Sequence, residues 1–316
     1  MTTQNITVRG LYDTLRANII SYDIYAAVTL SVYVLLAIIF YPKVDDASAI
    51  ILTDVFIAVS VAAVIILQAL TGNTVVTMIR RFYMVPVIYL MYEQVHAFVR
   101  IVHPKDYDHL LIAADRAIFG TDPTIWMAQF ATPALTEYLQ ICYFMFYLLP
   151  IMHAVELART GRSERFDEFI RGITFCYAIS YLLYFIMPAI GPRFTLHDFR
   201  ATDIELPGLW LTPMLREIVN QGGGVIGTVA DPTAVVNRDC MPSGHTMLTL
   251  VNILLAMRFR SKLRWVFVVI GGSLIIATVY MRYHYVVDVL VGAVLAVIVL
   301  PQERVVNKAI TCRLHG

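Results

Sequence analysis

Charge is what this 316-residue chain has least of. Asp, Glu, Lys and Arg make up 15% of it and hydrophobic residues 59%, with a mean hydropathy of +0.69. Ordinary soluble domains carry about 25% charged residues. The composition therefore excludes a disordered chain and speaks against a water-soluble one. A basic excess is missing too. The 24 Lys and Arg meet 23 Asp and Glu, a formal net charge of +1, so no nucleic-acid partner is expected. Cysteine is scarce: Cys142, Cys176, Cys240 and Cys312 are scattered and imply no disulfide framework. Strand-type alternation of apolar and polar residues is absent, which excludes a β-barrel. There is no clear tandem repeat and no low-complexity tract. The polar opening MTTQNITVRGLYDTLR lacks the apolar core of a cleavable signal, so the first apolar helix is expected to direct insertion.

What is present is a series of apolar runs. A bilayer core about 30 Å thick needs roughly 20 apolar residues per helix. Eight segments come near that length: 24–41, 50–70, 82–101, 136–156, 171–190, 244–258, 265–281 and 285–301. The expected fold is all-α, a polytopic membrane helix bundle of about eight transmembrane helices with outer interfacial helices. Segment 244–258 is short, as suits a helix that starts below the membrane surface from a re-entrant loop.

Basic residues set the orientation. With the N-terminus in the cytoplasm, 15 of the 24 Lys and Arg lie inside and 9 outside. The tight RFRSKLR loop at 258–264 decides the matter, because four charges resist translocation. Both termini are then cytoplasmic, and two long stretches, 102–135 and 191–243, fall outside. The first reads as amphipathic interfacial helices broken at Gly120 and Pro123; the second is rich in Gly and Pro. Five of the nine outer basic residues belong in or beside it: Arg193, Arg200, Arg216, Arg238 and Arg282. Positive charge there runs against the orientation rule and calls for something anionic to hold it.

Three clusters come to one depth on that outer face. The first is Gly191-Pro192-Arg193-Phe194. The second is Cys240-Met241-Pro242-Ser243-Gly244-His245-Thr246, and the third is Arg282-Tyr283-His284-Tyr285-Val286-Val287-Asp288. Pro242 and Gly244 turn the chain into a helix whose first-turn N–H groups bind anions, phosphate especially. The Ser243 hydroxyl adds a donor, and His245 is placed to give or take a proton. His284 and Asp288 share a helix face. A carboxylate beside an imidazole fixes its tautomer and presents the other ring nitrogen as nucleophile or base. Arg193 and Arg282 can hold a phosphoryl group in bidentate fashion. Together these groups form a constellation suited to phosphoryl transfer.

At this point the sequence resembles the type 2 phosphatidic acid phosphatase superfamily of integral membrane phosphoesterases, over roughly Tyr181 to Leu300. Asp115-Arg116, Phe119-Gly120 and Asp122-Pro123 further resemble the branch of inositol phosphorylceramide synthases and their bacterial relatives. The HYxxDV form at 284–289 is similar to sphingomyelin synthases. The resemblance implies that His284 is the nucleophile forming a phosphohistidine, Asp288 its orienting partner and His245 the acid for the leaving group. It implies that Arg193, Ser243, Gly244 and Arg282 bind the phosphate, with no metal and no cofactor. The implied partner is a lipid phosphate in the outer leaflet. The acceptor is then water, or an alcohol in a headgroup transferase. The site would face the periplasm or an organelle lumen. Residues 1–135 would hold N-terminal spans and interfacial helices, 136–301 the six-helix-type catalytic core, and 302–316 a cytoplasmic tail, all in one membrane domain. The phosphatase pattern carries a Lys and an Arg where this chain has Ile186 and Thr278, which points to a divergent branch.

Blander readings stand beside these. His284 and Asp288 could be a buried packing pair. With His245 they could ligate a metal, although no cysteine or fourth ligand is expected nearby. Arg282 could anchor a helix at the headgroups. Glu93 and His96 could line a polar crevice or pair two helices; with His284 they could also form a proton relay in a transporter. His153 and Glu156 are expected to snorkel, and Arg238 and Asp239 to be solvated loop residues. Tyr138, Tyr143, Tyr147, Tyr177, Tyr181 and Tyr184 are expected in packing and the interfacial belt.

Overall fold

Helices account for the chain because its apolar runs are long and their interruptions are helix-ending residues. In the computed structural model, which describes residues 8–227 and 229–315, no strand occurs among the described residues. The first part of the polar opening, residues 1–7, lies outside the described residues. Among the described residues five helices are long and apolar enough to cross a membrane: Ser21–Ile39, Ala47–Thr71, Thr74–Val102, Pro133–Arg159 and Val286–Leu314. Gly244–Phe259 and Arg264–Tyr280 are shorter apolar helices. On the Ala47–Thr71 helix Leu52, Phe56 and Val59 are 62–71% exposed, an apolar surface that only lipid covers at low cost. The chain is a polytopic all-α membrane protein.

The residues fall into two units, Met1–Ile101 with Pro301–Gly316, and Val102–Leu300. The first holds α1 (Val8–Asn18), α2 (Ser21–Ile39), α3 (Ala47–Thr71), α4 (Thr74–Phe82) and α5 (Met84–Val102). Gly72, at φ +58°, ends α3, and the Asn73 side chain then caps α4 by accepting from Val75 and Val76 N–H. Inside this unit Arg80 grips Asp23 at 2.8 and 2.6 Å, with Tyr83 donating to the same carboxylate. Gln94 donates to buried Asp54 at 2.7 Å. Of Glu93 and His96, the two residues offered as a crevice lining or a helix pair, His96 is half-buried. Glu93 is exposed, and it is neighbouring Gln94 that is buried.

The second unit holds α6 (Asp108–Phe119), α7 (Pro123–Met127), α8 (Pro133–Phe144), α9 (Leu148–Arg159) and α10 (Ser163–Leu183). After these come α11 (Pro192–Thr195), α12 (Thr202–Glu205), α13 (Thr212–Gly222), α14 (Gly244–Phe259), α15 (Arg264–Tyr280) and the start of α16 (Val286–His315). Helix α15 packs on α8 and α14, and α14 packs on α10 and α9. Leu149, Ala256, Phe267 and Leu274 form the core between them. The fifth apolar segment stops being helical at Leu183, short of the expected residue 190; Pro188 has no N–H to bond the Tyr184 carbonyl and disfavours helix at Met187.

Three expectations about polar residues change. His153 does not snorkel: it is fully buried, its Nδ1 2.9 Å from Asn252 Oδ1 and its ring against Phe169 and Phe267. Glu156 instead caps the α14–α15 turn, accepting from Ser261 Oγ and, at 2.7 Å, from Lys262 N. Arg238 is not solvated loop. It is buried, pairs with Asp106 at 3.1 Å and donates to the Val236 and Thr233 carbonyls.

Candidate active site

The site is built where α14 and α16 begin and α15 ends. Arg282 closes α15 in the left-handed conformation, φ +65°. The Thr278 carbonyl then accepts both Tyr283 N (2.9 Å) and His284 N (3.0 Å), folding the 281–285 turn back over the helix end. Asp288 lies one turn into α16 and is fully buried. Its Oδ2 accepts from Tyr285 N at 2.9 Å and from the Cys240 thiol at 3.0 Å. Its Oδ1 is 2.9 Å from His284 Nδ1. That same Nδ1 is 3.1 Å from the Cys240 carbonyl. Two acceptors at Nδ1 put the ring proton there and leave the lone pair on Nε2. Burial pulls the His284 imidazolium down, but the Asp288 carboxylate outweighs it, and the group ends above its ordinary value.

Nε2 points at His245, whose Nδ1 is 3.3 Å away. The two histidines come from positions 39 residues apart and meet at a hydrogen-bonding distance. His245 is half-buried, stacked on Tyr143 (4.7 Å between ring centres) and against Phe146 (4.3 Å). Ser243 N donates to the Asp288 carbonyl at 3.2 Å, which fixes α14 to α16. The Ser243 hydroxyl is occupied as the N-cap: it accepts from Thr246 N at 3.3 Å and donates to Thr246 Oγ1 at 3.0 Å. The anion-binding donors of this helix end are therefore the first-turn N–H groups of Gly244 and His245, which have no intrahelical partner. Only glycine fits at 244, since a Cβ would sit 2.5 Å from the Tyr184 hydroxyl.

The first cluster docks on the third through backbone. Gly191 has φ +94°, and a Cβ there would lie 2.8 Å from the Tyr283 carbonyl. Arg193 N donates to the Arg282 carbonyl at 2.9 Å. The Arg193 guanidinium stacks over Phe194 (4.6 Å) and Tyr283 (4.9 Å) and donates to Asn220 Oδ1 at 2.8 Å. The other arginines expected on the outer face are answered differently. Arg216 pairs with Asp203, Arg238 with Asp106, and Arg282 with Glu205, while exposed Arg200 donates to the Ala230 carbonyl. The chain's own carboxylates thus hold three of the five positive charges that seemed to need an external anion. Arg193 and Arg200 have neutral partners, and of the two Arg193 is the buried one.

Sequence reasoning missed several contributors. Cys240 reaches both His284 and Asp288, so a cysteine does lie beside the histidine–aspartate pair. Asp108, on α6, accepts Ile190 N (3.0 Å), Gly191 N (2.8 Å) and the Tyr285 hydroxyl (2.9 Å). Asp115, two turns on, accepts Val286 N (2.9 Å) and Val287 N (2.8 Å) at the start of α16. Burial raises both carboxyls above their ordinary value. His197 meets Thr124 Oγ1 at 2.9 Å, and burial with the nearby Arg282 charge pushes it down to about 4. Ile186, where the phosphatase pattern has lysine, is 65% exposed.

The sequence profile of the PAP2 superfamily matches residues 109–301, most of the chain and all three clusters. The chain belongs to the PAP2 superfamily. It is an integral membrane protein of a superfamily of phosphatases and phosphotransferases. Comparison with curated proteins and with solved structures gives no match. The PAP2 match begins inside α6, so it takes in Asp115 but stops short of Asp108.

Proposed function

We propose that this PAP2 protein cleaves a lipid-linked phosphate ester through a phosphohistidine on His284, without a metal. The observation that carries the reading is the geometry at His284: Nδ1 is held by Asp288 and the Cys240 carbonyl, and Nε2 faces a second imidazole at 3.3 Å. Nε2 attacks phosphorus, the bond from phosphorus to the lipid oxygen breaks, and His245 gives its proton to that oxygen. The Asp288 carboxylate, 2.9 Å from Nδ1, stabilises the positive charge on the phosphorylated ring. A second acceptor then loses its proton to His245 and attacks phosphorus, and the N–P bond breaks. Arg193 and the N–H groups of Gly244 and His245 hold the phosphoryl oxygens. Arg282, neutralised by Glu205, acts through its backbone carbonyl on Arg193.

The resting rings touch, so a phosphoryl group enters only when His245 turns off His284. Its stacking on Tyr143 and Phe146 defines the ring's resting position. The acceptor is water in a lipid phosphatase. It is an alcohol in a headgroup transferase of the inositol phosphorylceramide synthase kind, a reading favoured by the near-complete burial of His284 and Asp288, which limits water. The site faces the periplasm or an organelle lumen, with both termini in the cytoplasm.

The test is phosphate release from a panel of lipid phosphates, with and without inositol or ceramide acceptors. His284→Ala is expected to lower turnover at least about a thousandfold. Acid-labile phosphoenzyme should form in the wild type and be missing from this variant. Full phosphate release by His284→Ala, or a rate abolished by EDTA and restored by Zn²⁺, would sink the mechanism.

A further inference from the structure

Cys240, His284 and Asp288 present three different ligand atoms to one point. We propose that the Cys240 sulfur, His284 Nδ1 and the Asp288 carboxylate form an inhibitory site for a thiophilic divalent cation of the zinc type. The inhibition rests on His284 being the nucleophile; the binding does not.

Sγ lies 3.0 Å from Asp288 Oδ2 and 3.7 Å from His284 Nδ1, and Nδ1 lies 2.9 Å from Asp288 Oδ1. One ligand atom from each residue falls within 4.8 Å of the others, and all three residues are buried. Zinc bonds of about 2.3 Å to sulfur and about 2.0–2.2 Å to nitrogen and oxygen, set tetrahedrally, separate ligand atoms by about 3.3–3.6 Å. The sulfur–nitrogen pair, at 3.7 Å, is close to that spacing. The two carboxylate oxygens, one near sulfur and one near nitrogen, are each closer than it, so the carboxylate has to back away for one oxygen to take the metal. Three protein ligands leave a fourth position for water. Thiolate in the set selects Zn²⁺ or Co²⁺ over Mg²⁺ and Ca²⁺.

The consequence follows from the tautomer. Metal on Nδ1 takes that nitrogen's lone pair, so the ring proton moves to Nε2 and the Cys240 proton leaves to solvent. Three bonds to metal form, one proton is released, and nothing is oxidised. Nε2, now an N–H, cannot attack phosphorus. Asp288, now a metal ligand, no longer supports a ring cation. A cation here switches the nucleophile off rather than assisting the reaction.

The test uses the full chain in detergent, stripped with chelator, and Co²⁺ as spectroscopic probe. One equivalent should give a thiolate-to-cobalt charge-transfer band that Zn²⁺ displaces and Mg²⁺ does not. Cys240→Ser should remove the band and Cys312→Ala, at the exposed cysteine, should keep it, with circular dichroism checking that each variant is helical. In the activity arm, micromolar Zn²⁺ should stop phosphate release and EDTA restore it. In Cys240→Ser the inhibitory Zn²⁺ concentration, read against that variant's own rate, should rise at least about tenfold. No band, or a band that follows Cys312, overturns the site. A Cys240-dependent band with activity indifferent to Zn²⁺ overturns the inhibition. A protein that binds Co²⁺ through Cys240 yet turns over no phosphate ester supports the site and instead defeats the phosphohistidine reading.

Discussion

Buried polar side chains in this protein are priced by their partners. Arg282 and His197 illustrate the point from opposite sides. Arg282 is buried with its charge answered by Glu205. His197 sits near that same guanidinium with the Thr124 hydroxyl as its hydrogen-bond partner, and it is kept neutral: burial first, then Arg282, hold it down to about 4 from 6.5. The sign of the pH effect follows. Between pH 6.5 and about 4 the unfolded chain binds a proton on His197 that the folded chain does not. Its contribution to stability is therefore complete above the unfolded value and is lost as pH falls toward the folded one. His197→Gln, which keeps a hydrogen-bonding group for Thr124 and cannot titrate, should flatten the fall in melting temperature across that window. Melting curves of wild type and variant at matched pH check this; parallel declines would show that other groups set the acid limit.

At the scale of elements, α6 explains a motif that the chemistry does not use. Asp108 and Asp115 are seven residues apart, two turns of one helix face. The first carboxylate clamps the turn that leads to Arg193, and the second clamps the start of the helix that carries Asp288. One helix thus fixes the spacing between the Arg193 turn and the start of the helix that carries Asp288. Arg116 pairs with Asp122 at 2.8 Å across the Gly120 turn and serves the route to α7 instead. Asp115→Asn keeps one acceptor oxygen, so one hydrogen bond loses its charge and the other is lost, its N–H left facing the amide NH2. Charge-assisted bonds of this kind are worth a few kcal/mol, so kcat should fall about tenfold or more with KM little changed. Asp122→Asn, on the same turn, should leave kcat near wild type. A lowered melting temperature with unchanged kcat in Asp115→Asn would make the clamp structural only. The sequence offered the motif but not this role, because the two bonds close across more than 170 residues and nothing in local spacing encodes them.

The whole molecule was most legible where the physics is local. Hydropathy marks spans because each helix must bury its own backbone bonds in lipid, and every expected apolar segment coincides with a helix in whole or in part. PSGH and HxxxD were legible because helix ends and four-residue spacings are local geometry. Cys240 beside His284, Glu205 beside Arg282 and Asn220 beside Arg193 were not, since each pairing is made by the tertiary fold across tens of residues. Sidedness belongs to this scale as well, because it sums every basic loop: under the proposed orientation, RFRSKLR and the Arg304, Lys308 and Arg313 end of α16 are the charges expected to stay in the cytoplasm. The natural cysteines provide the test, since Cys312 is exposed while Cys142, Cys176 and Cys240 are buried. In sealed right-side-out vesicles a membrane-impermeant maleimide should leave the protein unlabelled, and in inverted vesicles it should add one label, lost in Cys312→Ala. Hydrolysis of an impermeant phosphate ester should show the opposite preference, running only when the far face is outward. Label and hydrolysis on the same side would place the tail and His284 together and reverse the orientation drawn from the basic residues.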